Sequence, residues 1–378
     1  MPLFHDNTPH HPLARYGWDT GLESDFAPYA AEGQLPGRIV RVERGRCDVV
    51  TVTAPSGPAP AEAHTLTADI APVSTSDPTR YACTGDWVAL DADASAVTAL
   101  LPRRTQILRS TSSKRSEGQV LAANVDHAVI AVSLAAELDL GRVERFLALA
   151  WESGAQPVVL LTKADLVPDP ATLAHLVADT ETAAPGVPVL TVSAETGEGI
   201  DALSALVGGG TTVLLGQSGA GKSTLANALL GAEVQQVNAT RDSDGKGRHT
   251  TTSRDLLPLP LPGGGVLIDT PGLRGVGLWD AESGVAQVFA EIEELAGDCR
   301  FQDCAHVAEP GCAVLAAVDA GALPPRRLDS YRKLLRENER LAARTDARLR
   351  AELRRSWKQK QALGRHMVER KRGPRPRD

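Results

Sequence analysis

The chain has 378 residues, of which 42% are hydrophobic and 23% are charged, a composition typical of a globular protein with more than one domain. Its longest apolar runs fall well short of the roughly 18 residues that cross a membrane. The first 18 residues contain no apolar segment of the kind found in secretory signals. Composition therefore argues against a membrane-spanning or secreted protein, and we expect a cytoplasmic one.

The net charge of -7 is unevenly distributed. Residues 344–378 contain 13 basic and 4 acidic side chains, a net charge of +9, so the rest of the chain carries -16. We expect this tail, through Arg354, Arg355, Lys358 and Lys360, to contact a polyanion such as RNA. A solvated helix with a frayed end would have the same composition.

The N-terminal part shows two compositional regions. Residues 1–36 are rich in His, Pro and Gly without periodicity, which predicts a flexible arm. Residues 37–111 contain short β-type runs separated by turn residues, which predicts a small five-stranded barrel of the OB kind. An SH3-like barrel would give the same pattern.

The remaining chain divides near residue 285. Apolar strands alternate with helical stretches over residues 112–284, a pattern that predicts a parallel sheet covered by helices. Residues 285–378 are predominantly helical and are interrupted by a group of cysteines and a histidine. We therefore predict a multidomain α/β protein with a helical C-terminal domain.

The segment GQSGAGKS at 216–223 matches the phosphate-binding pattern G-x-x-x-x-G-K-[ST] between a strand and a helix. Its glycines let backbone N–H groups face phosphate oxygens, Lys222 neutralises the β- and γ-phosphates, and Ser223 ligates Mg²⁺. An ordinary glycine-rich turn is the alternative. The residues assigned to nucleotide binding here are Gly216, Gln217, Ser218, Gly219, Ala220, Gly221, Lys222, Ser223 and Thr224.

A second motif, DTPG at 269–272, also follows a predicted strand. Asp269 is expected to hold Mg²⁺ through water, and the Gly272 amide to contact the γ-phosphate. The polar loop before this strand contains three adjacent threonines. We expect one of them, with Thr251 favoured, to complete the Mg²⁺ shell.

The tetrapeptide Thr162-Lys163-Ala164-Asp165 ends another predicted strand and suggests a guanine-binding motif. The Asp165 carboxylate can accept both N–H groups of guanine, which adenine does not offer, while the Lys163 stem covers the ring. Ser193 and Ala194 resemble the loop whose amide contacts guanine O6. A helix N-cap is the alternative explanation of the tetrapeptide.

Three of the five cysteines lie close to one histidine in the chain. Cys299, Cys304, His306 and Cys312 form the spacing C-x₄-C-x-H-x₅-C, which supplies the closed Cys₃His ligand set of a structural zinc site. We expect one Zn²⁺ per chain to provide much of the folding energy of this module. Free thiols beside a surface histidine are the alternative.

The motif order, with TKAD and SA before GQSGAGKS, HTTT and DTPG, resembles that of circularly permuted GTPases. With a β-barrel before these motifs and the Cys/His group after them, residues 37–340 resemble the ribosome small-subunit-dependent GTPases of the RsgA/YjeQ family. The resemblance implies an OB-fold barrel, a permuted P-loop GTPase domain and a C-terminal zinc domain. It also implies GTP hydrolysis as a switch in late maturation of the small (30S) ribosomal subunit, with binding to the subunit and its rRNA. We further expect a monomer.

Two positions depart from common GTPase patterns. Thr162 replaces the usual Asn that ties the base-reading turn to the phosphate loop, so we expect weakened nucleotide affinity. Leu273 replaces a glutamine that orients the attacking water, so we expect slow intrinsic hydrolysis. His249 is the candidate for positioning the water, although it could simply cap its loop. A P-loop ATPase or kinase and a passive GDP/GTP-binding RNA scaffold remain the alternatives.

Motif order also suggests a mechanical role for the permutation. The chain leaves DTPG directly into the Cys/His group and the basic helices, instead of returning to the base-reading half. We therefore hypothesise that the γ-phosphate contact is covalently coupled to the C-terminal domain.

Overall fold

The computed structural model describes residues 11–52, 62–110, 118–231, 254–269 and 281–345, together with residues 351 and 355. Three β-sheets and nine α-helices lie within these residues. Among the described helices, none combines the length and the apolar character needed to cross a membrane. Apart from residues 351 and 355, the basic tail after residue 345 lies outside the described part of the chain.

The N-terminal region forms a five-stranded antiparallel sheet in the order β3-β2-β1-β4-β5. Its strands are β1 (Leu35–Glu43), β2 (Arg46–Val52), β3 (Ala63–Asp69), β4 (Trp87–Leu90) and β5 (Val97–Leu100). Ile39, Val49 and Val88 bury one face of the sheet. A single parallel bridge between Asp69 and Ala96 connects the end of β3 to the start of β5.

The prediction of a flexible arm is wrong for the described residues before this sheet. Thr20–Ala31 form helix α1, and the Asp19 carboxylate caps it by accepting a hydrogen bond from Leu22 N at 2.9 Å. The helix packs on the sheet through an aromatic and apolar cluster that includes Trp18, Leu22, Phe26 and Trp87. This helix was not predicted because its two buried positions lie only one turn apart, and two positions are too few to establish a helical period.

The connection to the next domain differs from the prediction. Strand β6 (Gln106–Ser110), which lies inside the predicted barrel region 37–111, pairs with β7 (Gly118–Ala123) in a separate two-stranded sheet. At the start of that region, β1 and β2 pair as an antiparallel hairpin. The N-terminal sheet therefore still has five strands.

A six-stranded sheet forms the centre of the molecule, in the order β10-β9-β8-β11-β13-β12. All neighbouring strands are parallel except β12, which is antiparallel to β13. The strands are β8 (His127–Ser133), β9 (Gln156–Thr162), β10 (Val189–Val192), β11 (Thr211–Gly216), β12 (Leu256–Pro258) and β13 (Val266–Ile268). The helices between them are α2 (Leu140–Ser153), α3 (Pro170–Ala183), α4 (Ile200–Val207) and α5 (Lys222–Leu230).

Alternate residues of the central strands face opposite sides of the sheet. On one side, Val159 and Leu161 of β9 pack against α2, within a cluster that includes Phe146. On the other side, Val158 and Leu160 of β9 belong to the cluster that contains residues of α4 and α5. The predicted parallel sheet with helical cover is therefore present.

The C-terminal helices share their core with this domain. They are α6 (Glu282–Val288), α7 (Ala290–Gly297), α8 (Ala313–Asp319) and α9 (Pro325–Thr345). Phe289, Tyr331 and Leu334 belong to the same buried cluster as Phe146 and Leu147 of α2. The boundary predicted at residue 285 thus marks a change of composition, while one hydrophobic core continues across it.

A buried arginine reinforces this junction. Arg327 Nη1 of α9 donates to Glu144 Oε1 of α2 at 2.8 Å, and Arg327 Nη2 donates to Val288 O at 2.8 Å. Arg327 Nε contacts Glu291 Oε1 of α7 at 2.8 Å, and the guanidinium lies 4.4 Å from the ring centre of Phe289. Because both Arg327 and Glu144 are almost fully buried, their ion pair compensates two charges that would otherwise be costly to bury.

Candidate nucleotide and metal sites

The sequence motifs for nucleotide binding lie at one edge of the central sheet. The motif residues Thr162, Gly216 and Asp269 lie at or immediately after the carboxyl ends of β9, β11 and β13. Ser193 follows β10 directly. Parallel strands bring their carboxyl ends to the same edge, where α/β proteins bind their ligands. The fold therefore collects segments that lie up to about a hundred residues apart in the chain.

The phosphate loop connects β11 to the N-terminus of α5. Gly216, Gly219 and Gly221 all have positive φ angles, between 82° and 138°, which favour glycine. At Gly216 a Cβ atom would lie 2.4 Å from Ala131 O, so a side chain there cannot fit. Lys222 begins α5, and its Nζ donates to the carbonyls of Gly216 at 2.8 Å and Gln217 at 2.6 Å.

The remaining residues assigned to this loop fall on its surface and on the first turn of the helix. Gln217, Ser218 and Gly219 are exposed, whereas Ala220 is buried. Ser223 and Thr224 follow Lys222 in the first turn of α5, whose amides point along the positive end of the helix dipole. This arrangement of loop amides, ammonium group and helix end is suited to binding an anion.

Thr162 connects the predicted base-reading turn to the phosphate loop. Its side chain is buried, and Oγ1 donates to Ala220 O at 2.8 Å. The same hydroxyl lies 3.3 Å from Val132 O. Thr162 therefore joins the two motifs directly in place of the usual Asn, and its expected effect on nucleotide affinity stays a prediction.

The turn after Thr162 is held in an unusual backbone conformation. Lys163 has a φ of 60°, in the left-handed region that few non-glycine residues adopt. Ala164, Asp165 and Leu166 follow in one turn of 3₁₀ helix. Lys163 lines the same cavity as phosphate-loop residues 217–220, and Asp165 lies in the turn that follows it.

The loop after β10 is closed by its own hydrogen bonds. Ser193 N donates to Glu198 O at 3.0 Å, and Ser193 Oγ accepts from Thr196 N at 3.2 Å. Gly199 permits this closure because a Cβ there would lie 2.1 Å from Thr191 O. Ser193 is buried, so the half-buried Ala194 is the residue of the pair that a ligand can reach.

Asp269 is half-buried directly after β13, and its N donates to Asp255 O at 2.9 Å. Other residues predicted for this side of the site, namely His249, Thr251, Gly272 and Leu273, lie outside the described residues. Their assignments therefore stay predictions.

A cavity of about 260 Å³ adjoins the phosphate loop and was not anticipated from the sequence. Its walls include Lys163 and Gln217, together with the loop after β8 and the first turns of α2, where Asp139, Arg142 and Phe146 lie. One signal could have identified the loop after β8 as part of this cavity. Strand β8 neighbours β11 in the sheet, so the same carboxyl-edge rule places the loop after β8 beside the phosphate loop.

The four predicted metal ligands converge on one point. Their ligand atoms all lie within 4.8 Å of one another. His306 Nδ1 lies 3.4 Å from Cys312 Sγ and 3.7 Å from Cys299 Sγ, and these two sulfurs are 3.8 Å apart. Tetrahedral zinc, with bonds of about 2.3 Å to sulfur and about 2.05 Å to nitrogen, separates two sulfurs by about 3.8 Å and sulfur from nitrogen by about 3.6 Å. The donor set therefore fits this metal.

Backbone groups around the cluster support the same chemistry. Leu315 N donates to Cys312 Sγ at 3.4 Å, a contact that stabilises a thiolate. His306 has a φ of 54°, and the turn around it is held by Glu309. The Glu309 carboxylate accepts from Val307 N at 2.7 Å and Ala308 N at 3.0 Å, and these amides lower its pKa to about 2.

Comparison with known proteins agrees with this geometry. The sequence model of the RsgA GTPase family matches residues 100–279. A relative from Streptomyces avermitilis, "Small ribosomal subunit biogenesis GTPase RsgA", is 70% identical, with 96% of this chain and 95% of the relative covered. The protein of the same name from Streptomyces coelicolor is 68% identical, with 96% of this chain and 97% of the relative covered.

Two solved structures share the fold. YjeQ from Thermotoga maritima has a TM-score of 0.57 at 25% identity, covering 81% of this chain and 98% of that one. YloQ, described as a circularly permuted GTPase, has a TM-score of 0.56 at 22% identity, covering 81% and 95%. With motifs, fold and near full-length similarity in agreement, the chain belongs to the RsgA GTPase family.

Proposed function

We propose that this chain is a small ribosomal subunit biogenesis GTPase, which hydrolyses GTP to GDP and phosphate at the carboxyl edge of its central sheet. The observation that carries the proposal is the 2.8 Å hydrogen bond from Thr162 Oγ1 to Ala220 O. It joins the turn that would read the base to the loop that would hold the phosphates. The names of the full-length relatives support the ribosomal role.

The phosphate loop provides the charge and the hydrogen-bond donors of the reaction. Lys222 neutralises the β- and γ-phosphates, leaving the loop carbonyls that it now contacts. The amides between Gly216 and Gly221 hold the phosphate oxygens in line for attack by water. Ser223 and Asp269 hold Mg²⁺, which when bound offsets the negative charge that develops on the phosphates.

Guanine selection rests on the turn after β9. The Asp165 carboxylate accepts hydrogen bonds from the two N–H groups of the base, and the stem of Lys163 covers the ring. Ala194 offers its amide to guanine O6, while Ser193 is kept inside its loop by the hydrogen bond with Thr196.

The Cys299, Cys304, His306 and Cys312 cluster would hold a structural Zn²⁺. Three thiolates and one imidazole would supply four ligands, which would leave no position for a catalytic water. The role of the Zn²⁺ is to fix the short segment between α7 and α8.

The N-terminal sheet and the basic tail provide the contacts to RNA. We infer that the sheet closes into an OB barrel, because the parallel bridge between Asp69 and Ala96 brings β3 and β5 together in the strand arrangement of that fold. The arginines and lysines of residues 344–378 add phosphate contacts. The protein acts as a cytoplasmic monomer on the small subunit.

A competition experiment tests the nucleotide assignment. GTP, GDP and ATP are titrated against a fluorescent GDP analogue on the purified chain, and phosphate release from GTP is followed in parallel. We expect GTP and GDP to compete and ATP to fail, and Lys222→Ala to abolish phosphate release while the protein stays folded. Equal competition by ATP would instead support a P-loop ATPase or kinase.

A further inference from the structure

The N-terminal sheet contacts the central domain next to the predicted Mg²⁺ side of the nucleotide site. Arg41 of β1 forms a two-pronged ion pair with Asp255, with Nε 2.5 Å from Oδ1 and Nη2 2.8 Å from Oδ2. Thr84, which follows β3 and precedes β4, donates from Oγ1 to Arg254 O at 2.9 Å. Two neighbouring residues that lead into β12 are therefore held from the same sheet.

Asp255 connects this contact to Asp269. Its backbone carbonyl accepts from Asp269 N at 2.9 Å, one step beyond the antiparallel pairing of Leu256 with Ile268. Asp255 therefore binds Arg41 through its side chain and Asp269 through its main chain. The hydrogen bond between their main chains thus links the position of Asp255 to that of Asp269.

The sheet itself is rigidly held where it makes these contacts. Arg38, three residues before Arg41 in β1, is fully buried and donates from Nη2 to Thr211 Oγ1 at the start of β11. At Gly85, beside Thr84, a Cβ would lie 2.2 Å from Ala123 O, so the turn is in direct contact with the last residue of β7. Arg41 is thus presented to Asp255 from a fixed position.

We propose that Arg41 is a positioning residue for GTP hydrolysis, which through Asp255 fixes the main chain of Asp269, from which the predicted Mg²⁺-side carboxylate extends. This inference rests on the role assigned to Asp269 in the proposed function. It means that the N-terminal sheet contributes to the geometry of the GTPase site as well as to RNA binding. A partner that shifts the sheet would thereby alter Mg²⁺ binding and turnover.

The expected effect on kcat comes from a change in the position of Asp255 and Asp269, not from a change in folding free energy. The Arg41 side chain is 40% exposed, so the pair adds little to folding free energy. A two-pronged arginine–carboxylate pair does restrict the orientation of its carboxylate. Because catalytic groups displaced by about 1 Å can lose up to about a hundredfold in rate, we expect losing this restraint to cost roughly three- to tenfold in kcat.

Arg41→Ala tests the proposal in the full chain, with Arg41→Lys as the conservative variant. We expect a three- to tenfold lower kcat and a higher Mg²⁺ concentration for half-maximal turnover in Arg41→Ala. GDP affinity without Mg²⁺ should be unchanged, and Arg41→Lys should recover part of both losses. A purely structural role would not move the Mg²⁺ midpoint while leaving GDP affinity intact.

Arg104→Ala is the matched control. It removes another two-pronged arginine–aspartate pair, with Asp19 at 2.5 and 2.7 Å, which connects the segment between β5 and β6 to the N-cap of α1 instead of to Asp255. We expect its kcat and Mg²⁺ midpoint to equal those of wild type. A folded Arg41→Ala protein with wild-type kcat and Mg²⁺ midpoint would overturn the proposal, as would equal losses in Arg104→Ala.

Two further variants keep the outcome interpretable. If Arg41→Ala fails to fold, the exchange Arg41→Asp with Asp255→Arg should restore turnover above that of either single change, and a double variant no better than the singles would refute the pair. Asp269→Ala separates the role of Asp269 from that of Arg41. If Asp269→Ala leaves the Mg²⁺ midpoint unchanged, the role of Asp269 is refuted. If Asp269→Ala shifts the midpoint but Arg41→Ala behaves as wild type, only the role of Arg41 is refuted.

Discussion

Thr162→Val is the most direct test of how the base-reading turn is held to the phosphate loop. Valine has nearly the shape of threonine, so the buried position stays filled and only the hydroxyl is removed. The change deletes the 2.8 Å hydrogen bond from Thr162 Oγ1 to Ala220 O. The turn and the loop then keep their own folds but lose their direct connection.

The expected loss of nucleotide-binding free energy is that of one hydrogen bond. A typical hydrogen bond contributes about 1 kcal/mol net, and a buried acceptor left without its donor can raise this to about 2 kcal/mol. If that energy is lost from the nucleotide complex, the dissociation constant rises by roughly fivefold to thirtyfold. GTP and GDP should be affected alike, since both occupy the base and phosphate positions.

Equilibrium titration with a fluorescent GDP analogue measures this change, and Thr180→Val is the matched control. Thr180 is fully buried in α3, and its Oγ1 donates to Leu176 O at 2.7 Å, away from the nucleotide edge. We expect Thr180→Val to bind GDP as wild type does. The reasoning would be refuted by wild-type affinity in Thr162→Val, or by equal losses in both variants.

Three other predictions concern the base, the metal and the C-terminal junction. Asp165→Asn should weaken GTP binding by roughly tenfold or more and favour xanthine nucleotide, because charge-assisted hydrogen bonds contribute about 1.5–3 kcal/mol each; competition between GTP and XTP checks this. Cys304→Ser should release the metal, measured as zinc per chain by elemental analysis, while GDP binding persists; no stoichiometric zinc in freshly purified wild type would contradict the site. Arg327→Ala should lower the free energy of unfolding, measured in urea, by about 3 kcal/mol, because it leaves Glu144 without a buried charge partner. The exposed Arg326 still contacts the Glu144 carboxylate at 3.0 Å. A loss below about 1 kcal/mol would contradict this prediction.

The central sheet and the two ligand-binding motifs could be predicted because their signals are local. Alternating apolar strands and helices identify a parallel sheet, and the carboxyl-edge rule then places Thr162 and Gly216 together. The spacing of Cys299 to Cys312 similarly identifies a metal module. In each of these cases every motif or element is recognised from one short continuous segment of the chain.

What the sequence did not reveal depends on contacts between distant segments. Helix α1 contains Gly21 and Pro28, which weaken its helical signal, and it is stabilised by packing on Trp87. One local signal was available, since Asp19 provides an N-cap and Glu23 lies in the first helical turn. The shared core of α9 and α2, through Arg327, has no local signature.

The connection at Thr162 shows a further limit of motif reading. The usual pattern has Asn at this position, so its absence suggested a weaker link. The structure brings Ala220 O within 2.8 Å of the Thr162 hydroxyl, so Thr makes a direct hydrogen bond to the phosphate loop. Whether Thr162 can join the two loops depends on the distance between them, and the sequence does not give that distance.

GTP turnover titrated with purified small ribosomal subunits tests the central claim most directly. The wild-type chain and Lys222→Ala are compared at saturating GTP, so that any GTPase carried by the subunits appears in both series. We predict slow turnover for wild type alone, a rise that saturates with subunit concentration, and no rise for Lys222→Ala. A wild-type rate that stays flat across the titration, or that rises equally in Lys222→Ala, would contradict the account.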